Sequence, residues 1–395
     1  MLESTYSDQH YWPPFLALET THSTPLIVES LEVRRLHGTY LVRATSADGA
    51  SGMATANNRL AYLAPIFTQL VAPAFIDRDA RHLETLVNEV YTFRNNYKYQ
   101  GTAFWNCVAY AEAAIFDLIG QASGRSVGEL IGRPYRRQIP IYLSSMRRDT
   151  TPEEEVAWVG DRLEQTGASA VKIKVGGRMA NNADSLPGRT EKLLRLARET
   201  WGPDTTLYAD ANGSYDHKRA IEIGRLMQDL DYAFLEEPCP FEQYEETQAV
   251  ADALDIDIAG GEQDCNMGHF RAMIRKRTVD VIQPDLMYNG GLIRALRVAQ
   301  MAAEAGINAT PHSPKHNPEL ATLLHFASAV PNTGPHLEFP ARPATYEDWY
   351  EPHFTIRDGG YIDVPTGPGL GIRYEEGSWE KAEIIGKTNR RDTVT

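Results

Sequence analysis

Cysteine is scarce in this chain of 395 residues: Cys107, Cys239 and Cys265 are the only three. None forms a CxxC pair or a zinc-ligand spacing. An odd, sparse count supplies no disulfide framework and points to a reducing compartment. Long apolar runs are missing as well; no uninterrupted stretch approaches the roughly 18 residues of a membrane-spanning helix. The opening segment MLESTYSDQHYWPPF has neither the basic start nor the apolar stretch of a secretion signal. A cytoplasmic protein without a membrane partner is expected. Positive charge is the third shortage: 39 Lys and Arg face 53 Asp and Glu, a formal net charge of −14. With no basic stripe to neutralise phosphates, nucleic acid is excluded as a partner. An anionic substrate would meet a repelling overall field, so local cations would have to attract it.

What is present is enough apolar residue (42%) to bury a large core. Residues 1–25 show no clear period and read as an arm. The runs 26–36, 39–46 and 49–55 read as strands, joined by turns at His37-Gly38 and Asp48-Gly49. Helical patterns follow at about 60–75 and 79–91. The polar, aromatic stretch 94–104 reads as a loop. An Ala-rich helix is expected over 105–124, stopped by Gly124, with a short helix in SVGELIG. Strands followed by helices describe a small α+β domain over 1–137. From 138 to 340 the pattern alternates: IPIYLSS, AVKIKVG, TLYADAN, YAFLEEP, IDIAGGE, DVIQPD, NATPHS and PHLEF are short strands separated by helical segments. Such alternation predicts an α/β fold, a closed parallel β/α barrel. The period alone leaves open whether seven or eight helices surround it. The tail, 341–395, is expected to pack back on the first domain.

Ionisable residues recur in register with these strands. Asp210, Glu236 and Glu262 are 26 residues apart, each closing a strand. Asp285, His312 and Glu338 continue the interval, and Lys172 and Lys174 precede it. Residues closing successive parallel strands lie side by side at the barrel mouth, where barrels of this kind carry their active sites. Any one of these groups alone reads equally as a helix cap, a rim charge or a satisfied polar residue. Together they describe a site. Three adjacent carboxylates repel unless a cation neutralises them, and all-oxygen ligands favour Mg2+ or a close relative. Lys172 and Lys174, two apart on a strand, share the inward face. A divalent cation and a second lysine beside Lys174 favour its neutral amine, a usable base. Asp285 closing the strand next to His312 would orient the imidazole. Asn212, two residues after Asp210, reads either as a site residue or as a turn former.

The segments KIK (172–174), DANG (210–213), EEP (236–238), GGE (260–262), PD (284–285), PHS (311–313) and LE (337–338) resemble the enolase superfamily, specifically its mandelate racemase subgroup. The resemblance covers roughly residues 27–375. It implies a modified (β/α)7β TIM-type barrel with an N-terminal α+β capping domain completed by the C-terminal tail. It implies Mg2+ on Asp210, Glu236 and Glu262, with Lys174 and His312, oriented by Asp285, as the acid/base pair. Lys172 would sit near the substrate carboxylate and Glu338 would hydrogen-bond the developing enediolate; Asn212, from its place beside Asp210, is expected among the substrate-binding residues. A homo-oligomer is implied as well. Two segments depart from the family pattern. The capping loop between the first two strands is nearly absent (36–39), and the loop at 176–189 is long.

The expected reaction is abstraction of a proton α to a carboxylate on a small-molecule sugar acid. Loss of water to a 2-keto-3-deoxy acid is the leading outcome. Racemisation or epimerisation of a 2-hydroxy acid by the same pair is the alternative.

Overall fold

Period-two alternation builds the barrel. In the computed structural model, which describes residues 13–390, eight short parallel strands alternate with helices. They run β4 (Gln138–Ser144), α5 (Pro152–Thr166), β5 (Ala170–Lys174), α6 (Arg189–Trp201), β6 (Thr206–Asp210), α7 (His217–Asp229), β7 (Phe234–Glu236), α8 (Tyr244–Ala253), β8 (Asp257–Gly260), α9 (Met267–Lys276), β9 (Val281–Ile282), α10 (Leu292–Glu304), β10 (Asn308–Ala309), α11 (Leu320–Ala329) and β11 (Leu337–Pro340). These elements follow the capping elements β1–β3 and α1–α4 described below. Seven helices thus separate eight strands, and none follows β11 before the tail, which resolves the count the sequence period left open. Ile173, Ala209 and Leu235 are fully buried on the helix-facing side, while their immediate neighbours Lys172, Lys174, Tyr208, Asp210, Phe234 and Glu236 point inward. The ladder runs from β10 through β4 to β11. At the seam between β10 and β11, Ala309 N–H donates to the Asn332 carbonyl and Gly334 N–H to the Thr310 hydroxyl.

The capping part begins with β1 (Val28–Leu36), β2 (Thr39–Ser46) and β3 (Ser51–Ala56), an antiparallel sheet. His37 and Gly38 both take left-handed φ (48° and 83°), the backbone a two-residue hairpin turn needs. Helices α1 (Leu60–Ile66), α2 (Leu83–Glu89), α3 (Thr102–Ser123) and α4 (Val127–Ile131) follow. Helix α3 starts three residues earlier than its sequence pattern predicts. Its first residue follows Gly101, whose missing side chain offers no capping signal. The 94–104 stretch, expected as a loop, holds a 3-10 turn over Phe93–Lys98. Its Asn96 amide donates to the Leu70 and Val90 carbonyls. Gly124 ends α3 in the left-handed conformation (φ 69°).

After the barrel, β12 (Tyr350–Glu351) pairs with β14 (Arg373–Tyr374), and β13 (Tyr361–Asp363) pairs antiparallel with the start of β4. A short α12 (Ser378–Lys381) leads to β15 (Glu383–Asn389), which adds to the free edge of β1. The first twelve residues of the expected arm and residues 391–395 lie outside the described residues. Among the described residues no helix is long and apolar enough to cross a membrane.

Candidate active site

Beneath the barrel mouth lies an apolar floor. Tyr142, Ala170, Tyr208, Phe234, Ala259 and Val281, one from each of six neighbouring strands, form an inner layer separate from the main core. The Tyr208 and Phe234 rings stack with centroids 4.1 Å apart. Two residues further along their strands, the same inward face carries Lys172, Asp210 and Glu236, and Lys174 comes two after Lys172. Parallel register sets Lys174, Asp210 and Glu236 side by side. The floor excludes water below, so these charges face one another in a low-dielectric setting.

The structure brings all nine expected site residues together. Lys172 Nζ donates to both Glu236 oxygens (2.5 and 2.7 Å) and lies 3.1 Å from Glu338 Oε1. Lys174 Nζ donates to Asp210 Oδ2. His312 Nδ1 meets Asp285 Oδ2 at 2.9 Å, which turns Nε2 toward Glu262 Oε2 at 3.4 Å and Glu338 Oε2 at 3.8 Å. The other Asp285 oxygen accepts from the Met287 and Tyr288 N–H groups, so the carboxylate cannot swing away from the imidazole. Glu338 lies within β11 rather than beyond its end. It accepts from the Ser144 hydroxyl (2.7 Å) and Ser313 N–H (2.8 Å). Asn212, two residues after Asp210, and Glu237, directly after Glu236, both take left-handed φ (42° and 41°). Such a backbone is disfavoured for both residues, most of all for Glu. The Asn212 amide donates to Glu237 and its own N–H donates to Asp210.

Electrostatics follow from this crowding. Burial opposes charge on Lys172, but Glu236 and Glu338 outweigh it and hold the amine well above the usual lysine range. Burial also opposes charge on His312; Glu262, Glu338 and Asp285 outweigh it and lift the imidazole to about 10. Asp285 falls to about 2, against its burial, through Lys315 and His312. Glu236 is pushed up to about 8, first by burial, then by Asp210, Glu262 and Glu338 despite Lys172. Glu237 is likewise held well above the usual carboxylate range, by burial and then Glu262 and Asp210.

Would a divalent cation fit here? The donor set is all carboxylate, the chemistry hard cations prefer. Glu262 Oε2 and Glu237 Oε1 are buried with no hydrogen-bond partner, which is costly without a ligand. As arranged, the lysines sit among the carboxylates, and among the described residues no three His, Cys, Asp or Glu groups converge on one point. Lysine side chains swing on flexible stems. The residues fit such an ion once Lys174 and Lys172 turn from Asp210 and Glu236.

Other groups at the mouth escape sequence reasoning. Gln283 donates to Glu236 Oε2 at 2.7 Å; its place two residues before Asp285, on the same inward face, was the available signal. Arg189, fully buried, donates to the Thr150 and Lys174 carbonyls (2.7 and 2.8 Å), tying the loop after β4 to the end of β5. Lys315 lies 4.0 Å from Asp285 and 3.3 Å from Glu319. Arg148, from the loop after β4, donates to Asn212 Oδ1 at 2.7 Å and reaches the Asp210 carbonyl at 3.4 Å. Arg178, from the loop after β5, reaches the same Asn212 oxygen at 3.4 Å. Paired arginines straight after a barrel strand, in a chain of net charge −14, were the sequence signal for Arg148.

A parallel (β/α)7β barrel with a carboxylate ring at its mouth and a lysine and a His–Asp dyad at the ring's two ends defines the class. Residues 154–378 match the family described as enolase C-terminal domain-like. Arabinonate dehydratase from Saccharolobus solfataricus is 27% identical over 319 residues, covering 79% of this chain and 81% of that protein. The crystal structure of a racemase candidate from Roseobacter denitrificans superposes with a TM-score of 0.86 at 33% identity. It covers 92% of this chain and all of that one. A mandelate racemase/muconate lactonizing protein from Paracoccus denitrificans PD1222, complexed with magnesium, shares the fold at TM-score 0.81 and 24% identity, over 92% of this chain and 99% of that one. The chain belongs to the enolase superfamily, in its mandelate racemase subgroup.

Proposed function

We propose that this protein is a magnesium-dependent hydro-lyase that removes water from a sugar acid to give a 2-keto-3-deoxy acid. One observation carries the reading: the acid/base groups bracket the carboxylate ring. Lys174 contacts Asp210 at one end, His312 Nε2 faces Glu262 at the other, and Glu236 lies between. A substrate carboxylate seated at the ring thus has a proton acceptor and a proton donor on different sides of its α- and β-carbons. The likeness to arabinonate dehydratase supports the same reading.

Asp210, Glu236 and Glu262 would hold Mg2+, which when bound supplies Lewis-acid polarisation of the substrate carboxylate. Lys174 Nζ takes the α-proton as the C2–H bond breaks. Lys172 Nζ, an ammonium held beside Glu338, offsets charge growing on the carboxylate oxygens. His312 Nε2 gives its proton to the β-hydroxyl as the C3–O bond breaks, releasing water, and Asp285 keeps the ring aimed. The resulting enol ketonises by taking a proton at C3. The aromatic floor and buried Glu338 keep water from the reacting carbons.

The test is a library of acid sugars with Mg2+, reading keto product with semicarbazide, for wild type and His312→Asn. Product from one or two acids, lost with His312, is expected. Exchange of solvent deuterium into C2 without keto product would instead assign a racemase or epimerase, which the same bracketing geometry permits.

A further inference from the structure

We propose that Arg148, backed by Arg178, binds a second carboxylate at the far end of the substrate, so that the preferred sugar acid is a diacid (an aldarate) and not a monoacid. This inference rests on the site reading above and narrows it.

The argument starts from what the two guanidiniums touch. They come from successive barrel loops, after β4 and after β5, and converge on one amide oxygen, Asn212 Oδ1. Two like charges meeting at a neutral acceptor repel each other unless an anion joins them. Neither forms an ion pair with any carboxylate of the described residues, whereas Arg35, Arg78, Arg219, Arg357 and Arg373 each do. The nearest acidic side chain, Asp210, already accepts Lys174 and belongs to the candidate metal set. Of the Arg148 guanidinium nitrogens, only Nη2 has protein acceptors. Nε is buried without a partner, and Nη1 has no partner while staying outside the buried set. The Nη1–Nη2 end of the planar fork, away from the buried Nε, matches a carboxylate in two parallel hydrogen bonds.

Position decides which carboxylate. The reacting end of the substrate lies against Lys172, Glu236 and Glu338, on β5, β7 and β11. Arg148 and Arg178 stand at the rim past the end of β6, two residues beyond Asp210, away from His312. On this placement the chain of the proposed substrate runs from the ring past Asp210 to Asn212, and its second carboxylate meets the two guanidiniums there. In a molecule of net charge −14, a cationic pair at the mouth, Arg148 half-buried and Arg178 exposed, also supplies the local attraction a dianion needs.

The experiment uses the Mg2+-loaded protein and matched six-carbon aldarates and aldonates across several stereochemistries, with the corresponding 6-phosphoaldonates as a third arm. Calorimetric Kd and kcat/KM are both read, for wild type, Arg148→Gln and Arg178→Gln, with a thermal melt to confirm folding. Wild type is expected to favour one diacid over its monoacid by about 10²-fold, the worth of one charge-assisted bidentate contact. Arg148→Gln should bring that ratio to within about threefold of unity, whatever loss the two acids share, and Arg178→Gln, at an exposed position, should reduce it partway. A wild-type ratio near one, or an unchanged ratio in Arg148→Gln, overturns the proposal. A 6-phosphoaldonate outranking every diacid overturns the carboxylate assignment. A diacid preference in Kd that Arg148→Gln abolishes, with no keto product from any acid, would sustain this inference and defeat the dehydratase reading instead.

Discussion

At the scale of single residues, the site depends on groups that hold others in place. Arg189 is the plainest case. It is fully buried, and its donors occupy carbonyls of Thr150 and Lys174 that have few other partners. Arg189→Met would leave those carbonyls unpaired at a cost of about 1–3 kcal/mol. It would also free the end of β5, where Lys174 must be placed to a fraction of an ångström. The expected result is a melting temperature lower by several degrees and kcat down about tenfold, with KM changed less. Scanning fluorimetry and steady-state kinetics check it. Lys174→Ala and His312→Asn should each lower kcat by about 10³-fold or more while leaving the melt near wild type, because each removes a proton-transfer group. A comparable loss in melting temperature would mark them as structural instead. Sequence reasoning reached Lys174 and His312 because strand-end spacing exposes them. It missed Arg189 and Arg148, whose roles depend on which carbonyl or amide a long side chain reaches from a neighbouring loop.

At the scale of elements, α3 is where the capping sheet and the tail are held together. Gly52 of β3 lies against its backbone: a Cβ there would sit 1.9 Å from Leu118 N. Gly120 does the same toward the tail, with a Cβ 2.3 Å from Gly369 Cα. Between them, Asp117 accepts N–H groups from Met53 and Leu370 (2.8 and 2.7 Å), binding strand, helix and tail through one carboxylate. Gly52→Ala meets backbone on the far side, so no rotamer change relieves it; the melting temperature should fall by about 5 °C. Asp117→Asn keeps the shape but sets an NH2 group against one of the two N–H donors. We expect a loss of about 1–3 kcal/mol. An unchanged melt in Asp117→Asn would show that the tail is held by its other contacts. The strands and helices themselves were legible from period and turn residues. The close approach at Gly52 was not, because an isolated glycine in a strand pattern marks a contact without naming the partner.

For the whole molecule, His325 joins three distant segments. Its Nδ1 accepts from Gly128 N–H of α4 and its Nε2 donates to the Leu370 carbonyl, while the residue itself lies in α11 of the barrel. Burial pushes the imidazole down from 6.5 to about 4, because the charged ring would lie out of water and its new proton would fall on the Nδ1 lone pair that already accepts Gly128 N–H. The folded value is below the unfolded one, so the neutral ring contributes stability above pH 6.5, and that contribution drains away as pH falls from 6.5 to about 4. It amounts to something on the order of 3 kcal/mol. Melting temperature followed from pH 7 to pH 4 should drop more steeply for wild type than for His325→Asn. Parallel curves would remove His325 from the acid sensitivity. The effect is global because capping part, barrel and tail share this one side chain.

Sequence by itself determined the periodicities. Side chains alternate across a strand, so the inward register of Lys172, Lys174, Asp210 and Glu236 follows once the strands are located. The 26-residue interval follows from the length of one strand–helix unit. Charge composition likewise determined that an anionic substrate must be drawn by local cations. Tertiary structure alone decided where those cations stand. Arg148 and Arg178 are 30 residues apart and meet only because successive barrel loops fold over the same strand end. It alone decided that Gly128, His325 and Leu370 share an imidazole, and that β15 closes the first sheet 350 residues after its partner begins. Local pattern constrains neighbours along the chain; contacts across hundreds of residues are chosen by how whole elements pack, and no short window of sequence contains that choice.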